Sequence, residues 1–238
     1  MATRWNPQET VHLVHEVHGD EQRQIAEPSI RALGRRLGFT VFHTSEVTRL
    51  FLAYDAKMAR SRDMLDAIFD AERASDHHDA QYAMAAHTLA GVDGLSAVPD
   101  LLASAVLFSA NLLPRGAPPF SAPSDVNYAS VLGYIKQLPS CRVVAPAMHA
   151  LTATTEFQYL EALAERCRTE EVVRAGIWFD QTGRDPEPYR LKIPAFIHRG
   201  KSYFEKDVDP LLLKEGLRVQ STVQATMLAV NEFLRRAK

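Results

Sequence analysis

Apolar residues recur along most of this chain at intervals of three and four, the spacing that collects them on one side of an α-helix, and the pattern predicts a mainly α protein built as a multi-helix bundle. Asn6, Pro7 and Glu9 mark a helix start: Asn6 caps, Pro7 suits the first turn, and Glu9 can reach back to the cap. That helix ends near Gly19. A second runs from Asp20 to Leu37, is interrupted or restarted at Pro28, and stops at Gly38. After a connection around Phe39 to His43, Ser45 caps a long helix to about Arg73, on which Val47, Leu50, Phe51, Tyr54, Met58, Leu65, Ile68 and Phe69 keep the period. Ser75 or Asp76 starts another, apolar on nearly every side and ended by Gly91. Ser96 opens a further apolar helix with Pro99 and Asp100 in its first turn. A short helix from about Asp125 to Gln137 follows, closed by Leu138-Pro139.

The next stretch, Pro146 to Arg174, reads as one long helix and is where the chain is expected to be organised. Met148, Leu151, Tyr159, Leu160, Leu163 and Cys167 share a broad face, and Glu156 falls inside that face. From Ile177 to Lys206 the period changes to that of extended chain. A small β-hairpin is expected near residues 188–206, turning at Arg199-Gly200-Lys201, with Pro194 confining any sheet to an edge. Asp209-Pro210 caps a final helix to the C-terminus, docked through Leu212, Gly216, Val219, Val223, Thr226, Val230 and Leu234.

The 238 residues are expected to form a single α-helical domain, with an N-terminal helical subregion over 1–43 and a proline-rich loop over 114–124. Basic and acidic residues number 27 and 29 and are spread along the chain, so no long-range field gathers nucleic acid or an acidic membrane. Cys141 and Cys167 match no metal or redox spacing. The N-terminal residues lack the apolar core of a secretory signal, and the apolar run from Ala97 to Leu113 falls short of a bilayer span, so a cytoplasmic protein with no membrane partner is expected.

Candidate chemistry centres on His149, Thr152 and Glu156, which project from one side of successive turns if the long helix is continuous. Glu156 would then act as a general base, its pKa raised by burial, with His149 orienting water; the other reading is a satisfied buried network that fixes helix register. His12, His15 and His18 could hold a metal or form a polar face, and Arg31 and Arg35 could touch phosphate or solvent. His78-Asp79 has the form of the dyad in HD-type phosphohydrolases, with His43 upstream, and defines an alternative in which a divalent metal drives hydrolysis. Outside that alternative no cofactor is expected. His87 is expected to be a hydrogen-bonded core histidine. His198, Arg199, Lys201 and Lys206, interleaved with Phe196, Tyr203 and Phe204, could contact RNA by charge and stacking, or form an amphipathic hairpin laid on the helices. Walker, dinucleotide, nucleophile-elbow, His-Glu-x-x-His and Cys-x-x-Cys motifs are all missing from the sequence.

Val98-Pro99-Asp100-Leu101-Leu102-Ala103, then Glu156-Phe157-Gln158-Tyr159-Leu160-Glu161-Ala162-Leu163, then a hairpin and a long last helix, resemble the order in HEPN-like bacterial proteins. The resemblance covers residues 96–238. It implies an all-α homodimer, in families that include metal-independent ribonucleases of stress and defence systems. Their Lys-His pair after Phe-x-Tyr-Leu falls here at Arg168 and Thr169, and a threonine cannot replace imidazole as an acid or base near neutral pH. The implied role is a non-catalytic or degenerate-site module binding RNA, a nucleotide or a partner protein, with Thr152, Arg166, Arg168, Arg199 and Lys201 as the binding residues.

Overall fold

The computed structural model describes residues 4–59, 71–112, 125–180 and 189–238. The proline-rich loop, together with Leu65, Ile68 and Phe69, lies outside them. The protein is mainly α-helical with small antiparallel sheets, as the periodicity predicts. Its helices are α1 (Pro7–Ala59), α2 (Ala71–Ser96), α3 (Val98–Ser109), α4 (Tyr128–Ile135), α5 (Val144–His149), α6 (Thr155–Thr169) and α7 (Val208–Arg236).

Helix α1 breaks only at Gly19, whose φ of 84° no β-carbon-bearing residue adopts readily. It runs on through Pro28 and through the expected stop at Gly38 and connection at Phe39 to His43. Gly38 keeps a negative φ, so the left-handed cap that would end the helix does not form. Helix α2 likewise continues through Gly91. A β-carbon at Gly91 would make ordinary contacts, 3.6 Å from Leu212 and 3.7 Å from Thr44, so the helix passes this position without needing glycine for space. His77–Ser109 is long and apolar enough to cross a membrane by length and composition, and 61% of its most apolar window is buried, as in the core helix of a folded protein.

The long helix expected over Pro146 to Arg174 is two helices. The chain leaves α5 at Ala150, turns through Leu151 and Thr152, and restarts where the Thr154 hydroxyl accepts the Phe157 amide at 3.2 Å. Arg218 donates to the carbonyls of Ala150 at 2.8 Å and Leu151 at 2.7 Å, satisfying acceptors that a continuous helix would have used.

By internal contacts the chain forms two compact units, Met1–Gly38 with Leu95–Gln158 and Leu217–Lys238, and Phe39–Gly94 with Tyr159–Gly216. Every boundary falls inside a helix, so no linker composition marks it in the sequence. In the first unit Ile30, Leu33, Leu102, Leu107, Ile135, Met148, Leu151 and Phe157 are fully buried. There Trp5 Nε1 donates to the Thr10 hydroxyl at 2.8 Å, which donates to Asn231 Oδ1 at 2.7 Å, tying the N-terminus to α7.

The second unit carries the strands β1 (Gly176–Phe179), β2 (Tyr189–Ile193), β3 (Phe196–His198), β4 (Lys201–Tyr203) and β5 (Lys206–Asp207). β1, β2 and β5 form an antiparallel sheet in that order, with Phe179 opposite Tyr189 and Lys192 opposite Asp207. β3 and β4 form the anticipated hairpin through the two-residue turn Arg199-Gly200. Their φ values of 48° and 76° give the turn the left-handed backbone whose twist suits a tight hairpin. Pro194 sits between β2 and β3, where no ladder needs its missing amide.

Candidate functional site

Within the second unit, one turn after another of α1 presents Val47, Thr48, Phe51, Leu52 and Asp55 to a cavity. β2 adds Tyr189, Arg190 and Leu191, β5 adds Asp207, and the first turn of α7 adds Asp209 and Pro210. The cavity measures about 370 Å³, within the range of small-molecule sites. Its walls mix apolar and aromatic side chains with polar ones, and among the described residues of the lining are three carboxylates and one guanidinium.

Each polar group has a distinct environment. Asp209 accepts from the Thr48 hydroxyl and sits at the positive end of α7, which stabilises its charge. Asp207 accepts from Arg190 Nη1 at 3.3 Å through Oδ2, whereas its Oδ1 is buried and has no hydrogen-bond partner. A buried carboxylate oxygen left unpaired carries a desolvation cost. Burial, followed by the nearby Asp55 carboxylate, pushes the Tyr189 phenol above its ordinary range, so it remains a neutral hydroxyl. The Tyr189 ring is braced edge-on by Tyr54 at 6.0 Å and tilted against Phe179 at 5.1 Å. Tyr54 in turn is buried and holds His77 Nδ1 at 2.7 Å.

A second polar cluster lies at the end of α6 and the β3–β4 turn. His198, which the sequence allowed either to contact RNA or to lie in an amphipathic hairpin on the helices, is only 5% exposed. Its Nε2 lies 3.1 Å from Glu165 and its Nδ1 2.8 Å from Glu170, and Arg199 also pairs with Glu165. The hydrogen bond to His198, more than any other contact, holds the Glu165 carboxyl below its ordinary range. Arg166 lies 3.7 Å from Glu170 and 3.6 Å from Glu171, and Arg168 donates to the Ala164 carbonyl and lies 3.9 Å from Asp93. Lys201 sits over the Tyr203 ring at 5.1 Å, and Phe196 is buried and stacked on the same ring at 4.8 Å. The expected binding residues Arg166, Arg168, Arg199 and Lys201 thus gather in one region, where the protein's own carboxylates and aromatic rings take up their charge.

The expected catalytic group does not assemble as a helix face. His149 is exposed in the last turn of α5, while Glu156 is half-buried in the first turn of α6 and accepts from the Thr155 hydroxyl at 2.9 Å. Thr152 lies in the turn between them and donates to the Tyr128 hydroxyl at 3.4 Å. The break in the helix removes the shared face on which the general-base reading rested.

His78 and Asp79 are exposed on α2, and the His78 ring meets Tyr82 at 4.6 Å. His43 turns instead to His87, with their Nδ1 atoms 2.8 Å apart, which gives His87 the hydrogen bond expected of it, although the ring is half-buried and not in the core. His12 lies 3.6 Å from Glu16 and His15 lies 3.3 Å from Asp20, while burial lowers the pKa of His18. Among the described residues no three His, Cys, Asp or Glu side chains converge on a metal-sized point.

On the sequence Asp209 reads as a helix cap, and nothing there marks Tyr189, Arg190 or Asp207. The local signal was the placement of two aspartates around the start of α7, only one of which a cap requires. No family model matches the chain, and neither a curated protein nor a solved structure does.

Proposed function

We propose that this chain is a helical binding module, of the HEPN-like type its sequence resembles, and that it holds its ligand in the cavity lined by α1, β2, β5 and the start of α7. The observation that carries the reading is the cavity itself: a ligand-sized space whose apolar and polar lining groups converge from separate elements. The hydrolase reading has weaker support, because His149 and Glu156 stand on different helices and His78-Asp79 is an exposed pair with no third ligand gathered beside it among the described residues.

Of the ligand classes considered, RNA and nucleotides fit the cavity poorly, since phosphate would meet Asp55, Asp207 and Asp209. The cationic hairpin offers little more, with Arg199 held by Glu165 and Phe196 buried, and Lys192 on the neighbouring β2 is held by Glu205 at 2.8 Å. A small molecule, or a side chain presented by a partner protein, suits the cavity better.

Saturation-transfer NMR with a mixed library of cationic, neutral and anionic fragments tests this. Binding by any class, weakened in a Leu52→Trp variant that crowds the cavity wall, is the expected result; Leu52 is 61% exposed, so the larger ring does not disturb the core. A library without a single binder overturns the reading.

A further inference from the structure

Within the second unit α1 and α2 lie side by side in opposite directions, with Thr40 against Gly94, Thr44 beside Gly91 and Tyr54 against His77. We infer that the imidazoles of His43 and His87, which meet across this seam, form a proton-operated latch that holds α1 to α2 while both rings are neutral and releases them in acid. The two Nδ1 atoms are 2.8 Å apart. At that distance one nitrogen carries the shared hydrogen and the other is a bare acceptor. Two rings each protonated at Nδ1 have no acceptor left between them, and they set two positive charges against each other.

The far side of His43 resists even the first proton. Its Nε2 is buried and has no hydrogen-bond partner. In the neutral pair His43 donates through Nδ1, so its Nε2 is only an unused acceptor. A singly charged pair that keeps the shared hydrogen has a hydrogen on both Nε2 atoms, whichever ring donates. It therefore buries an N–H of His43 with nothing to receive it, a larger cost than an idle lone pair. Phe39 closes on the His43 ring at 4.1 Å, and Phe42 lies 5.1 Å from His43 and 6.1 Å from His87. His77, farther along the seam, meets the Tyr54 hydroxyl at 2.7 Å. A hydroxyl both donates and accepts, so that bond survives a change of protonation that the imidazole pair does not.

Among the described residues the charges acting on His43 come from His87 on α2 and Glu46 on its own helix. Glu46 favours an imidazolium, but Arg49 already holds that carboxylate through bonds of 2.7 and 3.0 Å. From α7, Leu212 packs near Gly91, and the buried Glu215 is not among the charges acting on His43. Burial first, and then His87, hold the His43 imidazole below its ordinary value of 6.5. A histidine lowered in this way contributes stability that is complete above 6.5 and is lost as pH falls through the folded value, so the latch opens on the acid side.

The experiment is a double-mutant cycle on the full chain, with His43→Ala, His87→Ala and both together, read by urea unfolding at about pH 8 and about pH 5, on either side of the histidine range. At the higher pH the coupling between the two side chains should be about fivefold in the unfolding equilibrium constant, the effect of one net hydrogen bond. At the lower pH it should vanish or reverse. Amide hydrogen exchange, corrected for the intrinsic effect of pH, follows the seam itself. In the parent, protection over residues 39–47 and 84–94 should fall by about fivefold or more between the two conditions. His87→Asn offers His43 both an acceptor and a donor, so it should keep that protection at the lower pH.

Coupling of equal size at both pH values, or none at the higher one, would overturn the latch. Parent protection that survives at the lower pH would do the same. So would protection lost equally in the parent and in His87→Asn, because acid would then be acting elsewhere on the helix pair. Should an alanine variant fail to fold, the exchange measurements on the parent and His87→Asn decide by themselves. Should His87→Asn fail to fold, His43→Asn takes its place with the same expectation.

Discussion

The Nδ1 of His198 lies 2.8 Å from a carboxylate oxygen of Glu170, and the opposite ring nitrogen meets Glu165 at 3.1 Å. The two carboxylates hold the buried ring from both sides and join the end of α6 to the hairpin. Glu165 is held below its ordinary value of 4.5, first by its hydrogen bond with His198 and then by burial in the opposite sense and by Arg199. A carboxylate with a lowered folded pKa contributes stability that is complete above its unfolded value and is lost as pH falls through the folded one. Urea midpoints should therefore decline as pH drops below 4.5, and His198→Ala should flatten that decline while lowering the midpoint at neutral pH. Equal acid slopes in parent and variant would show that His198 does not set the Glu165 carboxyl.

The turn between α5 and α6 depends on a cap. Thr154 Oγ1 accepts the Phe157 amide at 3.2 Å, and loss of such a cap costs about 1 kcal/mol. Thr154→Ala should lower unfolding free energy by that amount in urea denaturation. Thr155→Ala, which removes only an exposed bond to Glu156, should fall well below it.

This turn also shows what the sequence hides. Apolar spacing is continuous from Met148 through Leu163, and spacing alone cannot tell one helix from two whose faces remain in phase. The distinguishing sign was local: the threonines at 152, 154 and 155, residues that favour caps over helix interiors, followed at once by an acid. Conversely, Arg199-Gly200 was legible as a turn because a two-residue hairpin needs two left-handed positions and glycine fills one of them at no steric cost. The cavity was not legible, because its walls come from residues 47–55, 189–191 and 207–210, and no local pattern announces that such distant segments meet.

Glycines in helices offer a paired test of packing. A β-carbon on Gly94 would lie 2.5 Å from Thr40 Oγ1, so Gly94→Ala forces two helices apart and should cost about 1–3 kcal/mol. Gly133, exposed on α4, has nothing within 4 Å of that position. Gly133→Ala should instead stabilise by about 0.4–1 kcal/mol, since the unfolded chain loses freedom and the fold loses nothing. Thermal unfolding of the two variants should move in opposite directions, and a Gly94→Ala protein as stable as the parent would contradict the close approach of α1 and α2.

Tyr54 allows an alkaline test on the brace behind the cavity. Its ring supports Tyr189 and its hydroxyl shares a proton with His77 Nδ1 at 2.7 Å, while burial, with Tyr189 adding to it, pushes the phenol up to about 12. The unfolded phenol titrates near its ordinary value of 10.0, so the stability gained from keeping Tyr54 neutral is complete below that pH and is lost as pH rises toward about 12. Tyr54→Phe keeps the ring and removes the proton. It should cost about 1 kcal/mol at neutral pH through the lost hydrogen bond to His77. It should also remove one late step from the ultraviolet phenolate titration and make the alkaline fall in unfolding free energy shallower. Burial also raises the phenols of Tyr159 and Tyr189, so a late step remains in the variant; if its amplitude equals that of the parent, Tyr54 is not shielded as its burial and its bond to His77 require.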